Sequence, residues 1–258
     1  MLSLRLRALP AARRMSTMAS GKKRVNGVEL FYMSNGSSGM PLLCMPGALG
    51  ASRETATASP RAQGANERSV AGTAETDFMP QLEQLADTFQ VVSYDPRGYG
   101  KSRPPVRDFP LDFYQRDADD AAALMASLGH REYGLMGWSD GAISAVLLAA
   151  SNSPQVKGLV MFGGNAYLTK EDIDAFEATR DIEKCWSKRM KETHMPTYGD
   201  DLQPMWSSAV DAWAGIFRQT GGDVCMAQAR IFVLQSFVEH LVRMLRHAEV
   251  SLMTECAG

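Results

Sequence analysis

Short, almost wholly apolar runs alternate along this chain with longer stretches whose apolar residues recur at helical spacing. The runs are Pro41-Leu42-Leu43-Cys44-Met45, Gln90-Val91-Val92-Ser93-Tyr94, Tyr133-Gly134-Leu135-Met136 and Gly158-Leu159-Val160-Met161-Phe162. Their brevity and lack of polar alternation predict strands covered on both faces. Val25 to Tyr32 reads as a hairpin around Asn26-Gly27, a pair favoured where a two-residue turn needs positive φ. Between these strands, Phe78, Leu82 and Leu85 mark one helix. Asp117 to Leu128 marks a second, stopped by Gly129, and the Ala- and Leu-rich stretch from Ala142 to Ala150 a third, buried one. Strands alternating with helices predict an α/β fold with a mostly parallel sheet.

After Asn165 the pattern turns entirely helical. Trp186, Met190, Met205, Trp206, Trp213, Ile216 and Phe217 stand as apolar anchors among polar residues, as in a helical lid. Ile231 to Val250 carries Phe232, Leu234, Phe237, Leu241, Met244 and Leu245, and fits helix slightly better than strand. One stretch breaks the organisation. Residues 51–73 contain no aromatic residue and only Val70 as a large aliphatic, too little apolar surface to offset ordering entropy, so a mobile loop is expected.

The chemistry concentrates at Gly137-Trp138-Ser139-Asp140-Gly141, between an apolar strand and an alanine-rich helix. A serine on a sharp strand-to-helix turn projects its oxygen beyond the sheet, and small flanking residues give the turn room. Ser139 is the candidate nucleophile. The backbone N–H of Asp140 and that of Ala48, in the turn Pro46-Gly47-Ala48-Leu49-Gly50, are candidate oxyanion donors. Ala48 also reads simply as a small turn residue. The Asp140 side chain suits a cationic substrate group, such as the ammonium on the acyl side of an ester. The plainer reading is a solvated residue at a helix start.

A serine hydroxyl needs a base, and none is evident. Only His194, His240 and His247 follow Ser139. His194 falls in the lid near Pro196 and Gly199. His240 and His247 lie in the final apolar segment and read best as surface histidines. Asp172, Asp174, Asp181, Asp200, Asp201, Asp211 and Asp223 end no recognisable parallel strand, and read as helix starts or a solvated lid face. No catalytic acid or histidine is therefore identified.

Composition narrows the classes further. With 258 residues and 45% hydrophobic content, the chain can bury one sizeable core. A formal charge of -2 offers no general case for nucleic-acid binding, and no apolar run has the length of a membrane span. The four cysteines form no CxxC pair, which argues against a zinc ribbon or disulfide framework. Before Glu29 there is no acidic residue, but Arg5, Arg7, Arg13, Arg14, Lys22, Lys23 and Arg24 are present among leucines and serines. That pattern predicts a mitochondrial transit peptide over residues 1–22, with a featureless basic tail as the alternative.

Several separated stretches in one order, VNGVEL, LLCMPGALG, ETDFMPQL, VVSYDPRGYGKSRPP, RDFPLDFYQRDA, GWSDG and GGNAYLTKED, resemble the valacyclovir-hydrolase (biphenyl-hydrolase-like) family of the α/β-hydrolase superfamily. The resemblance runs from about Val25 to Cys225, outside residues 51–73. It implies an α/β-hydrolase core over residues 23–165 with the 51–73 insertion, and a helical lid over 166–224. It also implies hydrolysis of small α-amino acid esters through an acyl-enzyme, with Ser139 as nucleophile, Asp140 at the substrate amino group and Ala48 and Asp140 at the oxyanion. No metal or organic cofactor is implied. From Met226 onward the family's late strands, acid and histidine have no counterpart, so residues 225–258 form an atypical tail and the fold is expected to be C-terminally incomplete. The expectation is an impaired or inactive hydrolase, a monomer if folded, with association through an exposed sheet edge open. A non-catalytic binding protein or an unstable product are the alternatives.

Overall fold

The computed structural model describes residues 18–49, 73–151 and 154–224. Its centre is a six-stranded sheet of β1 (Ala19–Val25), β2 (Val28–Asn35), β3 (Pro41–Met45), β4 (Gln90–Tyr94), β5 (Tyr133–Trp138) and β6 (Val156–Phe162). The spatial order is β1-β2-β4-β3-β5-β6. The β1–β2 and β2–β4 pairs are antiparallel, whereas β4–β3, β3–β5 and β5–β6 are parallel. Residues along the inner strands point alternately to two cores, as the period of two requires. Leu42, Cys44, Val91 and Met136 meet Phe78 and Leu82 of α1 (Ala74–Gln84). Leu43, Met45, Val92 and Leu135 face the opposite layer, α2 (Phe113–Ser127) and α3 (Asp140–Ser151). Burial on both faces explains why these strands read as continuous apolar runs.

Three boundaries depart from the sequence reading. β1 begins at Ala19, pairing Ala19 with Ser34 and Lys22 with Phe31, so the ordered fold takes in four residues of the segment expected to lie outside it. Its backbone is held by the ladder while its polar side chains stay exposed, which suits an edge strand. Asn26 (φ 45°) and Gly27 (φ 81°) make the expected turn, and Asn26 Nδ2 donates to Asp120 Oδ1 at 2.9 Å. Arg97 Nε donates to Asp120 Oδ2 at 2.8 Å, fastening the hairpin to α2. Next, Thr73 is not loop but the N-cap of α1, in a capping box with Thr76. The rest of the expected insertion, 51–72, lies outside the described residues. Finally, α2 starts at Phe113 rather than Asp117 because Phe113 and Tyr114 are themselves buried.

Among the described residues beyond β6 the regular elements are helical: α4 (Lys170–Ala178), α5 (Ile182–Cys185), α6 (Lys188–Tyr198) and α7 (Leu202–Thr220). An aromatic ladder joins them. Trp186 packs edge-on against Trp206 at 5.1 Å, Trp206 against Trp213 at 5.5 Å, and Trp213 against Phe176 at 4.4 Å between ring centroids. The final segment, with His240, His247 and the helix expected from Ile231, lies outside the described residues. Among those residues β6 is a sheet edge, where Met161 and Phe162 are exposed.

Candidate active site

The turn at the end of β5 is built by steric exclusion. A Cβ on Gly137 would stand 2.6 Å from Ala142 Cα, and one on Gly141 would stand 2.1 Å from Met45 O. Neither position accepts a larger side chain, so strand, helix and the end of β3 close together. Ser139 takes φ 53°, the left-handed region that non-glycine residues avoid at a cost of about 1–3 kcal/mol. Its N–H donates to Phe162 O at 3.0 Å, and its carbonyl accepts from Ala142 N at 2.9 Å, opening α3. Strain is thus held at the residue expected to act as nucleophile.

The turn after β3 lies directly against it. A Cβ on Gly47 would come within 3.0 Å of Ser139 Cβ. Gly47 N donates to Asp77 Oδ2 at 2.9 Å, which occupies that N–H and fixes the turn to the first turn of α1. The next residue, Ala48, is half-buried. Asp140 is the first residue of α3, so its N–H has no intrahelical acceptor. Of the two expected oxyanion donors, Asp140 follows Ser139 directly in the chain and Ala48 follows Gly47, which packs against Ser139. Asp77 was missed in the sequence; its signal was an acidic residue in the helix turn that follows the Pro-Gly bend.

Asp140 stands at a helix start, yet its carboxyl is not solvated. Oδ1 accepts from Tyr114 OH at 3.0 Å, and Tyr114 OH accepts from Trp213 Nε1 at 2.9 Å. Oδ2 is buried and has no hydrogen-bond partner among the described residues. Burial pushes the carboxyl up to about 7, against the lowering influence of the Tyr114 bond and the Arg107 charge. Arg107 is committed elsewhere: it grips Asp117 through two bonds of 2.7 and 2.6 Å and lies 4.7 Å from the Tyr99 ring centroid.

No side chain among the described residues is hydrogen bonded to Ser139 Oγ. His194 is buried on α6, its Nδ1 2.6 Å from Met190 O and its ring edge-on to Trp186. Burial holds its pKa below the ordinary value. His130 precedes β5, whereas Ser139 follows it, which separates them by roughly 20 Å of strand rise. The lid carboxylates do structural work. Asp172 completes a capping box with Thr169, Asp181 caps α5, Asp174 pairs with Lys170, Asp211 with Arg180 and Asp201 with Arg103. Asp200 lies in the short 3-10 turn before α7, and Asp223 bridges to Tyr167. Among the described residues no group of His, Cys, Asp and Glu could hold a metal ion, and no helix is long and apolar enough to cross a membrane.

The family model for the alpha/beta hydrolase fold matches residues 41–193. Serine hydrolase BPHL of Homo sapiens is 39% identical over 224 residues, covering 85% of this chain and 68% of the human protein. Serine hydrolase BPHL of Mus musculus is 37% identical over 220 residues, covering 84% and 68%. Among solved structures, the epoxide hydrolase CorEH superposes with a TM-score of 0.55 at 18% identity, over 84% of this chain and 80% of that one, a likeness of fold alone. The chain belongs to the α/β-hydrolase family, among its biphenyl- and valacyclovir-hydrolase-like serine hydrolases.

Proposed function

We propose that the site is that of a serine esterase for small α-amino acid esters. Ser139 Oγ attacks the ester carbonyl, and the N–H groups of Ala48 and Asp140 receive the charge that develops on its oxygen. The alcohol departs, leaving an acyl-enzyme that water opens to free the amino acid. The observation that carries the substrate class is the buried, unpartnered Oδ2 of Asp140, one residue from Ser139. A buried carboxylate oxygen with an empty hydrogen-bonding position is costly unless a cation reaches it, and a substrate ammonium supplies both charge and donor. Nothing in this chemistry calls for a metal or organic cofactor.

Turnover by this chain is expected to be slow. Neither His130 nor His194 is hydrogen bonded to Ser139 Oγ, so among the described residues no base is engaged to take its proton; the proton passes by way of water to the oxygen of the departing alcohol, and acylation relies on oxyanion stabilisation and substrate positioning. The same observation supports a second reading, a protein that binds amino acid esters without hydrolysing them. Mixing the full chain with a chromogenic α-amino acid ester separates the two. A burst of alcohol release abolished by Ser139→Ala supports the esterase. Saturable binding with no release supports the binding protein. The basic, acid-free stretch before Ala19 supports a mitochondrial destination, which imaging of the tagged chain with and without residues 1–18 would test.

A further inference from the structure

We infer that Tyr114 and Trp213 form a one-way hydrogen-bond relay from the lid that leaves Asp140 Oδ2 as the oxygen offered to the substrate amine. The inference rests on the amine-recognition reading of Asp140. Its direction follows from the donor inventory. An indole N–H only donates, so in the 2.9 Å contact Trp213 Nε1 gives its proton and the Tyr114 oxygen accepts. The single proton of Tyr114 is thereby left to point along its other contact, 3.0 Å to Asp140 Oδ1. Oδ1 is occupied by a donor from within the protein, and Oδ2, buried on the same carboxyl, remains open.

The three residues come from three elements: Trp213 from α7, Tyr114 from α2 and Asp140 from α3. Packing fixes each of the two donors. Trp213 is held between Phe176 and Trp206, and Tyr114 lies against Phe113 with ring centroids 4.0 Å apart. Tyr114 and Trp213 are buried, and so is Asp140 Oδ2, and away from water an aligned donor chain polarises each member and strengthens the last bond. Tyr114 and Trp213 are positioning residues; they touch the carboxylate, or its partner, rather than the reacting ester. The arrangement couples the lid to selectivity, since a shift of α7 that withdraws Trp213 frees the Tyr114 hydroxyl to turn away from Oδ1.

The test uses the full chain and two probes, L-alaninamide and propionamide, which differ in the amino group. Binding is measured by calorimetry at pH 7.5, alongside NMR titration of the 13C-labelled Asp140 carboxyl and circular dichroism as a folding control. Wild type is expected to prefer L-alaninamide, and Asp140→Asn to lose that preference. Tyr114→Phe should lower the preference about tenfold and Trp213→Phe about threefold, with propionamide affinity unchanged in both. The Asp140 titration should move upward by about one pH unit in Tyr114→Phe, and by less in Trp213→Phe, because a bond to the charged form is lost. If wild type shows no preference, or Asp140→Asn retains it, the amine reading fails and the relay with it. If Asp140→Asn abolishes the preference while both relay variants keep it and their Asp140 titration is unmoved, the relay alone is overturned. Equal losses for both probes without a change in that titration would also overturn it, as marks of a purely structural role. Should either aromatic variant fail to fold, Tyr114→Met and Trp213→Leu, which likewise lack the donor, serve as replacements, and an Asp140 titration identical to wild type in both would contradict the proposed geometry.

Discussion

The backbone N–H of Gly47 donates to Asp77 Oδ2 at 2.9 Å, and this single bond ties the turn after β3 to the first turn of α1. The two segments flank residues 50–72, so the bond holds the turn beside Ser139 from a helix distant in sequence. Gly47 packs against Ser139, so loosening the turn is expected to displace Ala48, the proposed oxyanion donor. Asp77→Ala is expected to slow acylation of Ser139 about tenfold and to cost about 1–2 kcal/mol of stability. Intact-mass kinetics with a serine-directed fluorophosphonate checks the first expectation, and urea unfolding the second.

Ser139 trades stability for exposure of its hydroxyl. With φ at 53°, Ser139→Ala keeps the backbone cost, whereas Ser139→Gly removes it. Both variants lose the nucleophile. The glycine variant is expected to be more stable than the alanine variant by about 1 kcal/mol, seen as a higher urea midpoint at unchanged slope.

Arg107 and Asp117 form a buried, two-bond ion pair, with side chains 1% and 10% exposed. Removing one charge strands the other, so Asp117→Asn should cost about 3–5 kcal/mol. The double replacement Arg107→Met with Asp117→Leu should cost less than the sum of the two single changes. A double-mutant cycle in urea measures the difference.

The pH dependence of the site follows from Asp140. Its carboxyl is raised from 3.8 to about 7 by burial, so the folded protein favours the protonated form relative to the unfolded chain. Stability contributed at this position is fully present below about pH 4 and lost as pH rises through about 7. Asp140→Asn should therefore be more stable than wild type at pH 8, with the advantage shrinking toward pH 4. Amine recognition runs the opposite way, since it needs the ionised carboxylate. Preference for an α-amino ester over its des-amino counterpart should rise between pH 6 and 8, then fall as the substrate amine, with a pKa of about 8, loses its proton. Stopped-assay profiles of the two esters would show it.

Most of the fold could be read from local pattern because its strands are buried on both faces. β3 and β4 coincide with the apolar runs that predicted them, and the Gly137–Gly141 turn follows from its glycines. The reading failed where tertiary partners override composition. Ala19 to Lys22 looks like a basic tail, yet pairs with β2 along a polar edge that sequence periodicity does not mark. Phe113 and Tyr114 extend α2 because the core takes them in. At the candidate site, Ser139, Ala48 and Asp140 stand on or beside turns that the sequence marks. Asp77, Tyr114 and Trp213 carry no such mark, since each reaches the site through a bond spanning 26 to 99 residues. The burial of His194 also escaped notice, because its apolar setting is assembled from lid helices rather than from its sequence neighbours.

The account depends on the open oxygen of Asp140 reading a substrate ammonium beside Ser139. The most direct test is the rate at which full-length protein is acylated by an α-amino acid thioester and by its des-amino analogue, followed by intact mass in wild type and Asp140→Asn. The account predicts Ser139-dependent acylation that favours the α-amino substrate by roughly 10- to 100-fold, the range of a charge-assisted bond, and a ratio near one in Asp140→Asn. Equal rates for the two thioesters in wild type, or a preference that survives Asp140→Asn, would contradict it.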